Sequence, residues 1–116
     1  MKEPKKSSMP SFELLPTELR NVLPPLTSQE GVSDPTVYAK FLSRDSGWVW
    51  YVTEGSPDDN DFLFFGFVVG HEKEWGYFSL SELTEARPPW ECPIERDLNF
   101  KPERLSRAIT GEISES

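Results

Sequence analysis

The residues of this 116-residue chain equipped for chemistry are its acids, one histidine and one cysteine. Glu54, Asp58, Asp59 and Asp61 bracket one loop-like segment and could offer oxygen ligands to a hard cation such as Mg²⁺ or Ca²⁺. Their spacing is not that of the twelve-residue calcium loop, because Phe62 to Phe65 stand where later ligands would be needed. A solvated charge cluster in a β-link is the ordinary occupant of such a position, and no metal or cofactor is expected. Glu95-Arg96-Asp97 puts two acids on one side of an alternating strand, and with Glu54 and His71 they define the alternative reading, a small metal-dependent hydrolase. Nothing in the pattern makes other groups converge on that pair. His71 lies in the turn-like run Gly70 to Glu74, and Cys92, between Trp90 and Pro93, has no basic neighbour to lower its thiol pKa, so no catalytic residue is assigned.

The aromatic residues are the other candidates. Trp48, Trp50, Tyr51, Phe62, Phe64, Phe65, Phe67, Trp75, Tyr77 and Phe78 could stack on bases, but single-strand binders pair their rings with a positive groove. Here the charge has the opposite sign. The formal net charge is −8, and between Asp45 and Asp97 twelve acids face only Lys73, Arg87 and Arg96, a net of −9. Direct nucleic-acid binding and anionic membranes are therefore disfavoured, and a basic protein partner fits better. Gly66, Gly70 and Gly76 make no phosphate loop, since no Lys-Ser/Thr pair follows them. They read as bulge and turn glycines.

The elements that must position these residues follow from spacing. Leu15, Leu19, Val22 and Leu23 recur at helical intervals after Pro16, and Pro24-Pro25 stops that helix. Three runs rich in rings and β-branched residues, Thr36 to Leu42, Trp48 to Glu54 and Asp61 to Val69, predict strands, and Trp75 to Phe78 a fourth. Short polar links, one of them ending in Gly47, argue for sequential antiparallel pairing, with Gly55 to Asn60 a longer link. Ser79 and Glu82 form a capping box, with Phe78 and Leu83 placed as a hydrophobic staple, so a helix is expected over Leu80 to Ala86. Ile94 to Phe100 alternate as an edge strand, and Glu103 to Ile109 suggest one or two helical turns. The fold class expected is α+β, an antiparallel β-meander of four to five strands with two to three short covering helices. One domain over residues 12–109 is expected between disordered polar tails at 1–11 and 110–116.

Both alternating sets of residues in Phe62 to Val69 are apolar, which predicts a central strand buried on both sides. Two short helices must then take opposite faces, or some rings stay exposed for a partner. The single cysteine, the lack of an 18-residue apolar run and the polar start Met1 to Ser8 point to a cytoplasmic protein.

Four segments carry a resemblance: Trp50 to Gly55, Asp61 to Gly70, Gly76 to Leu83 and Pro93 to Asp97. Over about Leu14 to Pro102 the chain resembles the bacterial domain-of-unknown-function family 2958. The resemblance implies an accessory protein of plasmids and other mobile elements and carries no catalytic or binding residues across. The function expected is a non-enzymatic interaction module for a basic or DNA-handling protein partner, acting through Trp48, Glu54, Asp58, Asp59, Asp61, Glu72, Glu74 and Trp75.

Overall fold

A computed structural model of the chain describes residues 13–44, 46–85 and 94–114, the last four by backbone alone. Helix α1 (Thr17–Val22) is followed by β1 (Thr36–Val37), β2 (Ala39–Ser43), β3 (Val49–Asp58), β4 (Asp61–Val69) and β5 (Lys73–Ser79). Helix α2 (Leu80–Glu85), β6 (Ile94–Arg96), β7 (Glu103–Arg104) and α3 (Leu105–Ser114) complete the order. The fold is α+β. Five strands form one antiparallel sheet in the order β5-β4-β3-β2-β6, and β1 pairs with β7 in a separate two-stranded ladder.

Local chemistry sets several boundaries. The capping box forms reciprocally: Ser79 N–H donates to Glu82 Oε1 at 2.9 Å and Glu82 N–H donates to Ser79 Oγ at 3.1 Å. The staple residues Phe78 and Leu83 are both buried beneath that helix start. Residues 55–58 do not form a link as expected, since β3 runs on to Asp58 and turns tightly through Asp59 and Asn60 into β4. Pro57 is tolerated within the strand because its missing N–H faces the open edge. Gly55, two residues earlier, donates its own N–H outward to the Pro24 carbonyl.

The expected first strand divides at Tyr38, whose N–H turns to the Val52 carbonyl, so Thr36 and Val37 pair with β7 instead. Residues 103 and 104 are consequently strand, and α3 starts at Leu105 and continues past Ile109 to Ser114. The edge strand expected to reach Phe100 ends at Arg96, because Asp97 Oδ1 accepts the Asn99 N–H and bends the chain. Ala86, Cys92, the tail at 1–11 and residues 115–116 lie outside the described residues.

The sheet has two differently covered faces. On the first, Ala39, Phe41, Trp50, Val52, Phe62, Phe64, Phe78 and Ile94 pack against Leu14, Leu19 and Leu23 and against Leu83 of α2. On the second, Val49 and Tyr51 meet Val37, Leu105 and Ala108, with Leu42, Phe67 and Val69 partly buried around them. Helices α1 and α2 therefore share one face, and α3 with the β1–β7 ladder covers part of the other. The middle strand is β3, not β4. Along β4 Phe62, Phe64 and Gly66 of one set are buried, whereas Val68 and the other set, Leu63, Phe65, Phe67 and Val69, are half-covered.

Candidate functional site

The site is built on a one-residue irregularity. In β3, Trp50 and Val52 point to the first face, and regular alternation would send Glu54 into the same aromatic core. The register shifts instead: Val52 pairs with Gly66, whereas Glu54 pairs with Phe65, leaving Thr53 as the extra residue of a bulge. Glu54 thereby joins the row of Phe65 on the second face, and Gly55 takes the first face against Phe62 and Leu23. Gly66 makes this possible. A Cβ there would sit 2.0 Å from the Tyr51 carbonyl oxygen, so only glycine lets the strands approach. Thr53 Oγ1 closes the bulge by donating to the Phe65 carbonyl at 3.1 Å.

The Glu54 carboxylate, only 4% exposed, organises the loop between α1 and β1. Its two oxygens accept the Thr27 and Gln29 N–H groups, each at 2.7 Å, as short as charge-assisted bonds become. Thr27 is held at φ +73°, a conformation a β-branched residue rarely adopts unaided. Gln29 locks the loop to the sheet by donating to the Thr36 and Thr53 carbonyls at 2.9 and 3.0 Å and accepting the Thr36 N–H at 2.8 Å.

Opposite this loop, β4 and β5 present rings. Phe65 stacks on Trp75 with centroids 5.6 Å apart and an interplanar angle of 10°, Tyr77 lies 4.8 Å from Phe65, and Phe67 meets Trp75 edge-on at 5.3 Å. Trp75 and Tyr77 are 43% and 60% exposed. Between the rings and the loop lies a cavity of about 310 Å³, with Glu30 and Val32 on the loop side and Thr53 and Glu54 at the sheet.

Residues 14–110 match the model of a family described as a protein of unknown function (DUF2958). The chain belongs to the DUF2958 family. No curated protein and no solved structure matches it.

In this DUF2958 chain the acids singled out by sequence do not form one group. Asp58, Asp59 and Asp61 sit at the β3–β4 hairpin, Glu72 in the β4–β5 turn and Glu74 at the start of β5. The nine residues of β4 hold those ends roughly 25–30 Å apart at about 3.3 Å per residue. Asp61 is structural in its bonding: it accepts the Phe62 and Ser81 N–H groups and the Ser81 hydroxyl, and these bonds, the hydroxyl first, hold its carboxyl below the usual carboxylate range. Trp75 is in the cavity wall. Trp48 is half-buried elsewhere, edge-on to His71 at 5.6 Å and against the backbone of Gly70.

Among the described residues no three His, Cys, Asp or Glu side chains come together in an arrangement that would hold a metal ion. Glu54 is in the bulge and His71 in the β4–β5 turn. Glu95, 6% exposed, accepts Arg44 Nε at 2.9 Å, and Asp97 bonds its own turn. Gln29 and Glu30 were missed by spacing, and Phe65 and Tyr77, though among the candidate rings, were not singled out for the site. Tyr77 was within reach of alternation, standing two residues from Trp75, but the loop's approach to the rings arises from contacts across 25 or more positions of sequence.

Proposed function

We propose that this DUF2958 domain is a non-enzymatic protein-interaction module whose docking surface is the uncovered β4–β5 face, and that its partner is a basic protein. The observation that carries this reading is the pair of exposed rings Trp75 and Tyr77 packed on half-buried Phe65. Large rings that stack on one another at the surface while α1, α2 and α3 cover other parts of the sheet are the composition of an interface centre. The formal charge of −8, with Glu30 beside the rings, favours a basic partner and speeds its approach. A DNA-handling protein, which carries a positive surface of its own, has the right chemistry, and a bacterial mobile element is the setting that the family resemblance suggests.

The test is affinity capture from host lysate with the wild type and with a Trp75→Ala/Tyr77→Ala double variant, followed by purification of what the wild type retains. The reading holds if the purified partner binds the wild type, loses binding to the double variant and weakens as salt rises. It is overturned if both forms retain the same proteins or neither retains any.

A further inference from the structure

We infer that the cavity between residues 27–35 and the β4–β5 rings is a receptor for one arginine side chain of the partner. The inference rests on the docking face proposed above and names the group that face recognises.

Three observations converge on a cation. First, the walls are aromatic: Phe65, Trp75 and Tyr77 line the cavity, and faces of Trp and Tyr attract a guanidinium or ammonium group held within about 6 Å. Second, the sheet side of the cavity carries Glu54, a carboxylate buried to 4% exposure whose partners are two backbone N–H groups. Among the described residues no Lys, Arg or His forms an ion pair with it. Each of its oxygens has a lone pair left after those bonds. A buried charge whose bonding comes from neutral amides leaves its surroundings negative, and a cation entering the cavity would be attracted. Third, Glu30 stands at the loop side, so acids line the space from two elements and the rings line it from β4 and β5. Lys73, the cation on the same face of β5, is not among the lining residues.

Size and shape select arginine. A volume of about 310 Å³ lies at the bottom of the range for small-molecule pockets and suits one long side chain better than a drug-sized ligand. A planar guanidinium stacks on a ring with its face while its edge donates to carboxylate and carbonyl oxygens, whereas an ammonium is a more strongly hydrated point charge. The stacked pair Phe65 and Trp75 presents flat ring surface of the kind a guanidinium plane matches.

The experiment titrates the isotope-labelled full chain with a capped Gly-Arg-Gly peptide, following the Trp75 indole N–H and the backbone amides. Saturable shifts confined to Trp75, Tyr77, Glu54 and residues 27–35 are expected. The same peptide with citrulline, which keeps the shape and removes the charge, should give no saturable shift. Trp75→Ala should weaken binding roughly tenfold, and Glu30→Gln should weaken it less, both variants keeping a folded amide spectrum. Equal shifts with citrulline, shifts centred on Asp58 to Asp61 or Glu72, or no shift at high peptide concentration would each overturn the inference. The titration needs no natural partner, so loss of the arginine site alongside capture that depends on Trp75 and Tyr77 would sink this inference and leave the docking reading standing.

Discussion

Asp61 and Ser81 are joined twice: the Ser81 hydroxyl donates to Oδ2 at 2.6 Å and the Ser81 N–H donates to Oδ1 at 3.1 Å. The first residue of β4 is thereby tied to the first turn of α2, which fixes the helix over the Phe64–Phe78 side of the sheet. Because these bonds lower the Asp61 carboxyl pKa in the folded state, they contribute stability above the unfolded value of about 3.9, and that contribution disappears as pH falls through the folded value. Asp34 behaves in the same way through the Ser106 hydroxyl and N–H at the start of α3. Asp61→Asn should lower the melting temperature at pH 7. The gap to wild type should narrow as both are acidified below about pH 4. A gap that stays constant down to pH 2 would refute the assignment.

Glu54→Gln keeps the shape of the side chain but turns one acceptor into a donor facing a backbone N–H. One of the Thr27 and Gln29 amides then loses its acceptor in a partly buried place, at a cost of about 1 kcal/mol. Urea denaturation should show the loss. Amide exchange should accelerate over residues 27–35 ahead of the sheet, and uniform acceleration across the chain would argue against a loop-organising role.

Gly66 and Gly76 face each other across β4 and β5, yet they should respond oppositely to alanine. A Cβ at Gly66 would meet the Tyr51 carbonyl oxygen at 2.0 Å, whereas one at Gly76 would meet nothing within 4 Å. Gly66→Ala must push two central strands apart and should cost more than about 3 kcal/mol or abolish folding. Gly76→Ala should be neutral or stabilise by about 0.5–1 kcal/mol, since alanine loses less conformational freedom in a strand. Equal unfolding midpoints for the two variants would contradict the bulge geometry.

Phe64 and Phe65 are adjacent in sequence and opposite in consequence. Phe64 is fully buried among Phe41, Phe62 and Phe78, so Phe64→Ala should cost about 3–5 kcal/mol. Phe65 is half-buried and stacks on rings that remain in water, so Phe65→Ala should cost clearly less, with the ring stacking alone worth about 0.5–1.5 kcal/mol. Its larger effect should be on partner binding. Chemical denaturation of the two variants side by side decides this.

Much of the scaffold was legible because its signals are short-range. Ser79 and Glu82 made the capping box they spell, β4 spans Asp61 to Val69 as its run of rings indicates, and the α+β antiparallel architecture followed from alternation and polar links. The extent of β3 was not legible, because Gly55, Ser56 and Pro57 are turn residues by local preference. They are held extended by pairing with Phe64, Leu63 and Phe62 and by the outward bond from Gly55 to Pro24. Of the residues singled out by sequence, the candidate site contains Glu54 and Trp75. Acids were attractive candidates by type, but Glu54 accepts backbone amides 25 and 27 residues away and Asp61 accepts the hydroxyl and N–H of Ser81, 20 residues away, which no spacing rule reveals.

The sequence by itself determined the fold class, the −8 charge, and a surplus of rings too large for one face of a small sheet. It left open where that surplus would go. Only the tertiary structure decided that α1 and α2 share one face, that the bulge at Thr53 turns Glu54 away from the core, and that Trp75 and Tyr77 stay exposed on half-buried Phe65 beside residues 27–35. The reason is physical: propensity, capping and alternation act over a few residues, whereas register shifts and the choice of covered face depend on packing between segments far apart in the chain.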